Sequence, residues 1–198
     1  MTLFLIPLLA AAAQAAAPTE QARKSMDSLH DFGACMVRAA PGEVNAMLVM
    51  DQQSPEYGAK LVAAMNGPAK RCQKKAKGFS VGSALFAGIM AESALRARFQ
   101  PSVPTDMLGP DPRRQAIRAR NDLETVGLCT VLSAPAASSR LIATAPTSVA
   151  EVKAIEALRP NVTGCLRKDA KMSVTPPVLR SVIALAAWRI VYAPRKDR

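Results

Sequence analysis

Histidine and aromatic residues are scarce in this sequence. His30 is the only histidine, and the 198 residues include five phenylalanines, two tyrosines and one tryptophan. Binding of unpaired nucleic-acid bases relies on several stacked aromatic side chains, so we expect no nucleic-acid partner. A serine or cysteine nucleophile activated by histidine has one candidate base at most. No catalytic residue is predicted.

Sequence motifs for metals and nucleotides are also missing. The four cysteines form no C-x-x-C pair, and no glycine-rich stretch reads G-K-[ST] or follows a predicted strand as G-x-G-x-x-G. These are the patterns that hold zinc or cradle phosphates. We therefore predict no metal site and no cofactor.

No stretch of useful length alternates between polar and apolar residues, so β-strands are not predicted. Apolar residues recur instead at helical spacings, as in Leu85, Phe86, Ile89 and Met90. We predict an all-α fold: two tandem copies of a roughly four-helix repeat, each linked internally by one disulfide. Gly88 is expected to allow two helices to approach closely.

The internal repeat is the main organising feature. Residues 165–189 match residues 72–96 at seven of 25 positions without a gap, Cys165 falling on Cys72. Upstream, residues 123–135 match residues 29–41 in the pattern L-x-x-x-G-x-C-x-V-x-x-A-P, with one extra residue of spacing. Shared alanine-rich helical composition explains the apolar matches but not the paired cysteines and Ala-Pro steps. We infer a duplication.

The repeat sets the expected helix boundaries. The first helix begins after Thr19 as N-cap and ends near Ala39, and its counterpart begins at Asp111 and ends near Ser133. The later helices are expected at 42–50, 55–72 and from residue 80 or 81 in the first copy, and at 136–144, 148–165 and after Pro177 in the second. Gly67-Pro68 and Pro160 are each expected to kink or break the third helix.

The predicted domain boundaries follow from the same pattern. Residues 18–99 form the first repeat, 100–110 a linker rich in proline and glycine, 111–194 the second repeat and 195–198 a disordered basic tail. The linker either separates two bundles or lets them pack together. Arg180 and Arg189 fall on opposite sides of the last apolar helix, so we expect no transmembrane segment in the mature chain.

The N-terminus is typical of a secretory signal peptide. An apolar stretch is followed by small residues and by Ala13-Gln14-Ala15, an A-x-A cleavage site. Residues 1–15 are predicted to be removed, with cleavage between residues 15 and 17. The n-region lacks lysine and arginine, which departs from the usual pattern. We expect an exported, periplasmic or secreted protein.

Export predicts that the four cysteines are oxidised. The repeat favours Cys35–Cys72 and Cys129–Cys165 among the three possible pairings. Zinc coordination is the alternative, but His30 falls opposite Glu124 and has no counterpart in the second copy.

A formal net charge of +11 favours anionic partners. The candidate anion-binding residues follow the cysteines or cluster after the linker, where Arg113, Arg114 and Arg118 can share a helical face; they are Lys74, Lys75, Arg167, Lys168, Lys171, Arg113, Arg114 and Arg118. The simpler interpretation of the cations beside the cysteines is that they offset helix dipoles.

Glu92 and His30 are two further residues whose side chains could take part in catalysis. Glu92 interrupts an apolar helix and is a candidate general acid, although a carboxylate at the border of such a stripe is usually solvated. His30 is expected on a solvated helix face.

The sequence resembles small exported alphaproteobacterial proteins of unknown function. The resemblance lies in the motif C-x-V-x-x-A-P, in the second cysteine 36 or 37 residues later, and in the Ser-Val and Pro-Pro-x-Leu segments before the last helices. The resemblance supplies no activity or site. The expectation is a non-enzymatic binding or envelope-associated protein with an anionic envelope component or acidic protein as partner. An envelope hydrolase, or an accessory or inhibitor of an envelope enzyme, is the alternative.

Overall fold

The computed structural model describes residues 19–75, 82–167 and 174–196, and in this part of the chain the fold is all-α, as predicted. The helices, in chain order, are α1 (Glu20–Ala39), α2 (Pro41–Leu48), α3 (Pro55–Asn66), α4 (Ser83–Arg98), α5 (Thr105–Leu108), α6 (Asp122–Ser133), α7 (Pro135–Ala143), α8 (Val149–Cys165) and α9 (Pro176–Val191). A 3₁₀ turn, Lys70–Lys75, follows α3. The predicted signal peptide at residues 1–15 lies outside the described residues.

The predicted start of α1 is confirmed by its cap. The Thr19 hydroxyl accepts a hydrogen bond from the Ala22 amide at 3.2 Å, and Glu20 stands in the first turn, where the helix dipole favours a negative charge. The Ala-Pro steps end α1 and α6 and begin the next helix directly, because Pro41 and Pro135 fit the first helical position.

The predicted start of the first helix in the second copy was wrong. That helix, α6, begins at Asp122 rather than Asp111. Asn121 is its N-cap and accepts from the Glu124 amide at 2.9 Å, while Glu124 accepts from the Arg120 amide at 2.8 Å. This reciprocal capping box fixes the boundary and leaves residues 111–121 as an extended segment.

The extended segment pairs with the C-terminal residues. Arg114 and Arg195 form an isolated antiparallel bridge, and the Lys196 amide donates to the Arg113 carbonyl at 2.7 Å. The expectation of a disordered tail is therefore wrong for residues 195 and 196, because backbone hydrogen bonds hold them. Residues 197 and 198 lie outside the described residues.

The third helices differ between the two copies. In the first copy Gly67 and Pro68 end α3, and the chain continues as the 3₁₀ turn. Glycine makes the helical backbone entropically costly, and proline lacks the backbone N–H that a helix needs. In the second copy α8 continues through the exposed Pro160 to Cys165, so the break expected there is absent.

Both predicted disulfides are confirmed. Cys35 on α1 is bonded to Cys72 in the 3₁₀ turn, and Cys129 on α6 is bonded to Cys165 at the end of α8. Disulfides of this kind indicate an oxidising environment.

The core is built where α4 crosses α9, the most extensive helix contact in the described chain. Gly88 of α4 lies against Ser181 of α9, and a Cβ on Gly88 would overlap the Ser181 Cβ and carbonyl oxygen. The expected role of Gly88 in close packing is thus observed.

The linker does not separate the two halves. It contains α5, which packs against α7 and α9, and it buries Val103 and Leu108. The Ser139 hydroxyl donates to the Val103 carbonyl at 2.6 Å, which attaches the linker to α7.

Glycines also set the distance between the first and last helix of each half. A Cβ on Gly33 of α1 would lie 2.6 Å from Ile89 Cγ2 of α4. A Cβ on Gly127 of α6 would lie 2.7 Å from Val182 Cγ1 of α9. The two helix pairs therefore approach equally closely at positions that the sequence alignment makes equivalent.

In the described ranges, no single helix is long and apolar enough to cross a membrane. The adjacent helices α6 and α7 reach the required length and apolar composition together, but they are bent by 107° at Ala134.

Candidate functional site

The most concentrated polar chemistry in the described chain is a buried ionic centre between the two halves. Arg180, in the second turn of α9, donates to both carboxylate oxygens of Glu92 on α4, each at 2.7 Å, and to Glu151 on α8 at 3.0 Å. The side chains of Arg180 and Glu92 are each 2% exposed. Burial alone lowers the pKa of Arg180, but its hydrogen bonds to Glu92 and the charges of both glutamates outweigh burial and raise it.

The same arginine satisfies the end of α7. Arg180 donates to the carbonyl and the hydroxyl of Thr144, at 2.6 and 3.0 Å. Arg96 of α4 donates to the carbonyls of Ile142, at 2.7 Å, and Thr144 while its Nε lies 3.0 Å from Glu92. Two guanidiniums thus hold the helix C-terminus, where the dipole favours cations.

Glu151 joins the centre through a second capping box. Its amide donates to the N-cap hydroxyl of Ser148 at 3.1 Å, and its carboxylate accepts from the Thr147 amide at 2.6 Å. The other carboxylate oxygen accepts from Arg180. The Glu151 side chain therefore links the start of α8 to the N-terminal part of α9.

His30 borders this centre, which corrects the expectation of a solvated histidine. Its side chain is 17% exposed, and Nδ1 lies 3.9 Å from a carboxylate oxygen of Glu92. Burial lowers the pKa of His30, and the nearby guanidiniums of Arg180 and Arg96 act in the same direction. The ring is consequently neutral near pH 7.

A cleft of about 350 Å³ opens beside His30 between α1 and α4. Arg38 and Arg96 contribute cations to its wall, and Glu92 lies at its inner side. Glu92 is the residue proposed from sequence as a general acid, and the structure places it in the core rather than at a solvated border. Arg180 engages both its oxygens, so the carboxylate serves to balance buried guanidiniums.

A second ionic cluster lies at the other end of α9. Glu124 of α6 accepts from the side chains of Arg120, at 2.8 Å, and Arg189, at 2.7 Å. Arg120 also donates to the Val49 carbonyl, and Arg189 to the Arg118 carbonyl. Burial lowers the pKa of Arg189. The two arginines of α9 thus each reach a capping-box glutamate of a neighbouring helix.

The predicted arginine cluster after the linker is not a helical face, because its residues lie in the extended segment. Arg113 pairs with Asp111 at 3.2 Å, and Arg114 donates to the carbonyls of Met107 and Gly109. Arg118 is exposed, and its side chain has no partner among the described residues. Of these three cations, one is available to a ligand.

The predicted cations next to Cys165 lie mostly beyond the described residues. Arg167 is exposed and pairs with Asp122 at 3.2 Å, whereas Lys168 and Lys171 fall outside the described ranges.

The cations next to Cys72 are exposed on the 3₁₀ turn. We call Lys70, Arg71 and Lys74 the cationic turn; each is exposed, and none has an ion-pair partner within the described chain. The side chain of Lys75 lies outside the described part. Buried Cys72 and its disulfide fix the backbone, and Gln73 donates to the Met65 carbonyl at 3.0 Å. The turn therefore presents its charges from a fixed position.

Arg180, Arg96 and Glu151 were not identified as site residues from the sequence. Arg180 and Glu92 each interrupt an apolar helical stripe, which is a signal for a buried charge, but nothing in their spacing of 88 residues pairs them. Within the ranges described, no group of three or more histidine, cysteine, aspartate or glutamate residues is placed to hold a metal ion.

Comparison with known proteins leaves the function open: no protein-family model, curated protein or solved structure matches this chain.

Proposed function

We propose that this is an exported, non-enzymatic helical protein that binds an anionic component of the cell envelope through the cationic turn. The observation that carries the proposal is the turn itself. Three exposed, unpaired cations stand on five consecutive residues of a backbone held by the Cys35–Cys72 disulfide. A fixed group of like charges attracts an anionic surface.

The distribution of the other cations supports this assignment. The arginines of the two ionic clusters are neutralised by glutamates and also bind carbonyls; they are Arg96, Arg120, Arg180 and Arg189. They contribute to the net charge of +11 but are committed to the fold. Within the described chain, the three cations of the turn form no ion pair and remain available to a ligand.

Export and duplication belong to the same proposal. Two disulfides need an oxidising compartment, and the N-terminal sequence is typical of a secretory signal. We infer that the chain arose by duplication, since the equivalent glycines Gly33 and Gly127 make equivalent close contacts. The sequence resemblance to small exported alphaproteobacterial proteins accords with this origin.

Binding to vesicles of phosphatidylglycerol and phosphatidylcholine tests the proposal. We expect co-sedimentation at low salt that weakens as salt is added, and no binding to phosphatidylcholine alone. Replacing all three cations of the turn (Lys70→Gln, Arg71→Gln and Lys74→Gln) should weaken binding about 100-fold, because each surface cation contributes about 1 kcal/mol near an anionic membrane.

The matched control replaces three exposed, unpaired cations of α7 and α8, Arg140, Lys153 and Arg159, by glutamine. It makes the same change in net charge. Equal loss of binding in both triple variants would mean that net charge, not the turn, is recognised. Binding that ignores salt, or no binding at low salt, would overturn the proposal.

The enzymatic alternative rests on Glu92. Its carboxylate is buried and held by Arg180 and Arg96, an arrangement that supports a structural role. If any hydrolytic activity is detected, the Glu92→Gln variant decides whether this carboxylate takes part.

A further inference from the structure

A cavity of about 290 Å³ lies between the extended segment and the end of α9. Its walls include Trp188 and Tyr192 on one side and Ile117 and Arg118 on the other. The two aromatic rings stack with their centroids 4.9 Å apart. The cavity therefore has a rigid apolar wall, a feature that small-molecule sites share.

The polar groups around this cavity are cationic or uncharged. Arg118 and Arg189 line it, together with Gln115, and no carboxylate does among the described residues. Arg189 is already paired with Glu124, at 2.7 Å, whereas the Arg118 side chain has no partner among the described residues. Among the described residues that line the cavity, Arg118 is thus the cation without an anionic partner, and it lies at the edge of the apolar wall.

Trp188 supplies a second unmatched group. The residue is 3% exposed, and its indole N–H is buried without a hydrogen-bond partner in the described chain. A buried donor without a partner is costly, and such groups are uncommon in folded proteins. Because this nitrogen is buried, the site rests on the unpaired Arg118 and the aromatic wall and not on this N–H.

The extended segment is held at its ends while it borders the cavity. Gln115 donates its amide to the Pro194 carbonyl at 2.9 Å, and Arg120 donates to Val49 at 2.8 Å. The Arg118 carbonyl accepts from Arg189 at 3.0 Å. These contacts fix the backbone at Arg118 beside the aromatic wall before any ligand arrives, which lowers the entropic cost of ordering the segment on binding.

We propose that this cavity is a binding site for a small amphipathic carboxylate, with its apolar body against Trp188 and Tyr192 and its carboxylate at Arg118. The site shares no residue with the cationic turn, so it adds a second ligand class to the proposed function. A guanidinium offers parallel N–H donors that match the two oxygens of a carboxylate. An inorganic anion has no apolar body to bury against the wall, so it gains less binding free energy.

Trp188 is the only tryptophan, so its fluorescence reports on the site without labelling. The experiment titrates the purified, disulfide-bonded protein with decanoate below its micelle concentration, and with decanol as the uncharged match. Decanoate should change the fluorescence saturably, with a dissociation constant at least about tenfold lower than that of decanol, as expected for one charge-assisted hydrogen bond.

The Arg118→Gln variant should weaken decanoate binding about tenfold or more and leave decanol binding unchanged. Arg159→Gln, which removes an exposed, unpaired arginine of α8, is the matched control and should bind decanoate as the unmodified protein does. The absence of a saturable signal, equal affinities for decanoate and decanol, or an unaffected Arg118→Gln variant would each overturn the site.

The two proposals fail separately. The Arg118→Gln variant should keep its salt-dependent binding to phosphatidylglycerol vesicles, and the triple variant of the cationic turn should keep its affinity for decanoate. Loss of vesicle binding in Arg118→Gln would place the lipid contact at the cavity and overturn the role of the turn.

Discussion

Arg180 donates a hydrogen bond of 2.7 Å to each carboxylate oxygen of Glu92, although 88 residues separate the two in the chain. The contact joins α9 to α4 and therefore the second half of the molecule to the first. Each side chain is 2% exposed, so neither charge is compensated by water. Removing one partner leaves the other charged and buried, which is the most destabilising change available to such a pair.

Arg180→Met should reduce the free energy of unfolding by about 3–5 kcal/mol, because it leaves Glu151 without a guanidinium and leaves the buried Glu92 with only the partly exposed Arg96. Chemical denaturation measures the difference. Arg159→Met, at an exposed position, should stay within about 0.5 kcal/mol of the unmodified protein. If Arg180→Met matched that control, the ionic centre would be irrelevant to stability.

Gly88→Ala should destabilise the protein by about 1–3 kcal/mol, because the added methyl group overlaps the backbone of Ser181 and forces α4 away from α9. Gly58→Ala is the matched control. It lies in α3 with open space around it, so alanine should raise stability by roughly 0.5–1 kcal/mol through its helix propensity. Thermal or urea unfolding compares the two, and a stabilising Gly88→Ala would contradict the crossing.

Removing a disulfide should cost stability in either half. The bonds close loops with separations of 37 and 36 residues, each worth about 4 kcal/mol in the chain-entropy model. The double replacements Cys35→Ala with Cys72→Ala and Cys129→Ala with Cys165→Ala should therefore have similar effects on unfolding. Non-reducing peptide mapping checks the pairing, and a Cys35–Cys129 peptide would show that it is wrong.

The protein should lose stability as the pH falls below about 6.5, the pKa of an unperturbed histidine. Burial lowers the pKa of His30 in the folded state, with Arg180 and Arg96 acting in the same direction and Glu92 and Asp27 opposing it. The unfolded chain therefore binds the proton first, so the contribution of His30 is complete above 6.5 and is lost as the pH falls through its folded pKa.

The His30→Gln variant checks this assignment. Its free energy of unfolding should depend less on pH between about 6.5 and the range where carboxylates titrate. An unchanged pH dependence in that interval would mean that the histidine has no role in it.

The fold class and the disulfides were predictable because they depend on local patterns. Helical spacing identified the apolar stripe of α4, and the repeated cysteines selected one pairing of three. The predicted start of α6 at Asp111 is wrong because the helix begins at the cap formed by Asn121 and Glu124. Both capping residues are visible in the sequence, so this boundary was also predictable from a local pattern.

The ionic centre was beyond prediction for a different reason. Glu92, Arg180 and Glu151 come together only when α4, α8 and α9 pack, and no sequence spacing encodes that packing. The sequence marked Arg180 and Glu92 as unusual within apolar helices. It contained no information on which opposite charge each one meets.

The order in which the chain is made gives the Arg180–Glu92 contact a further consequence. Glu92 is synthesised 88 residues before Arg180, so the first half is complete in length while Arg96, one turn along α4, is the guanidinium that faces the carboxylate. A half-made chain that closed α1 over α4 would bury this carboxylate while both of its oxygens still lacked Arg180, which disfavours early closure. We therefore expect the first half to pack fully only after α9 has been made.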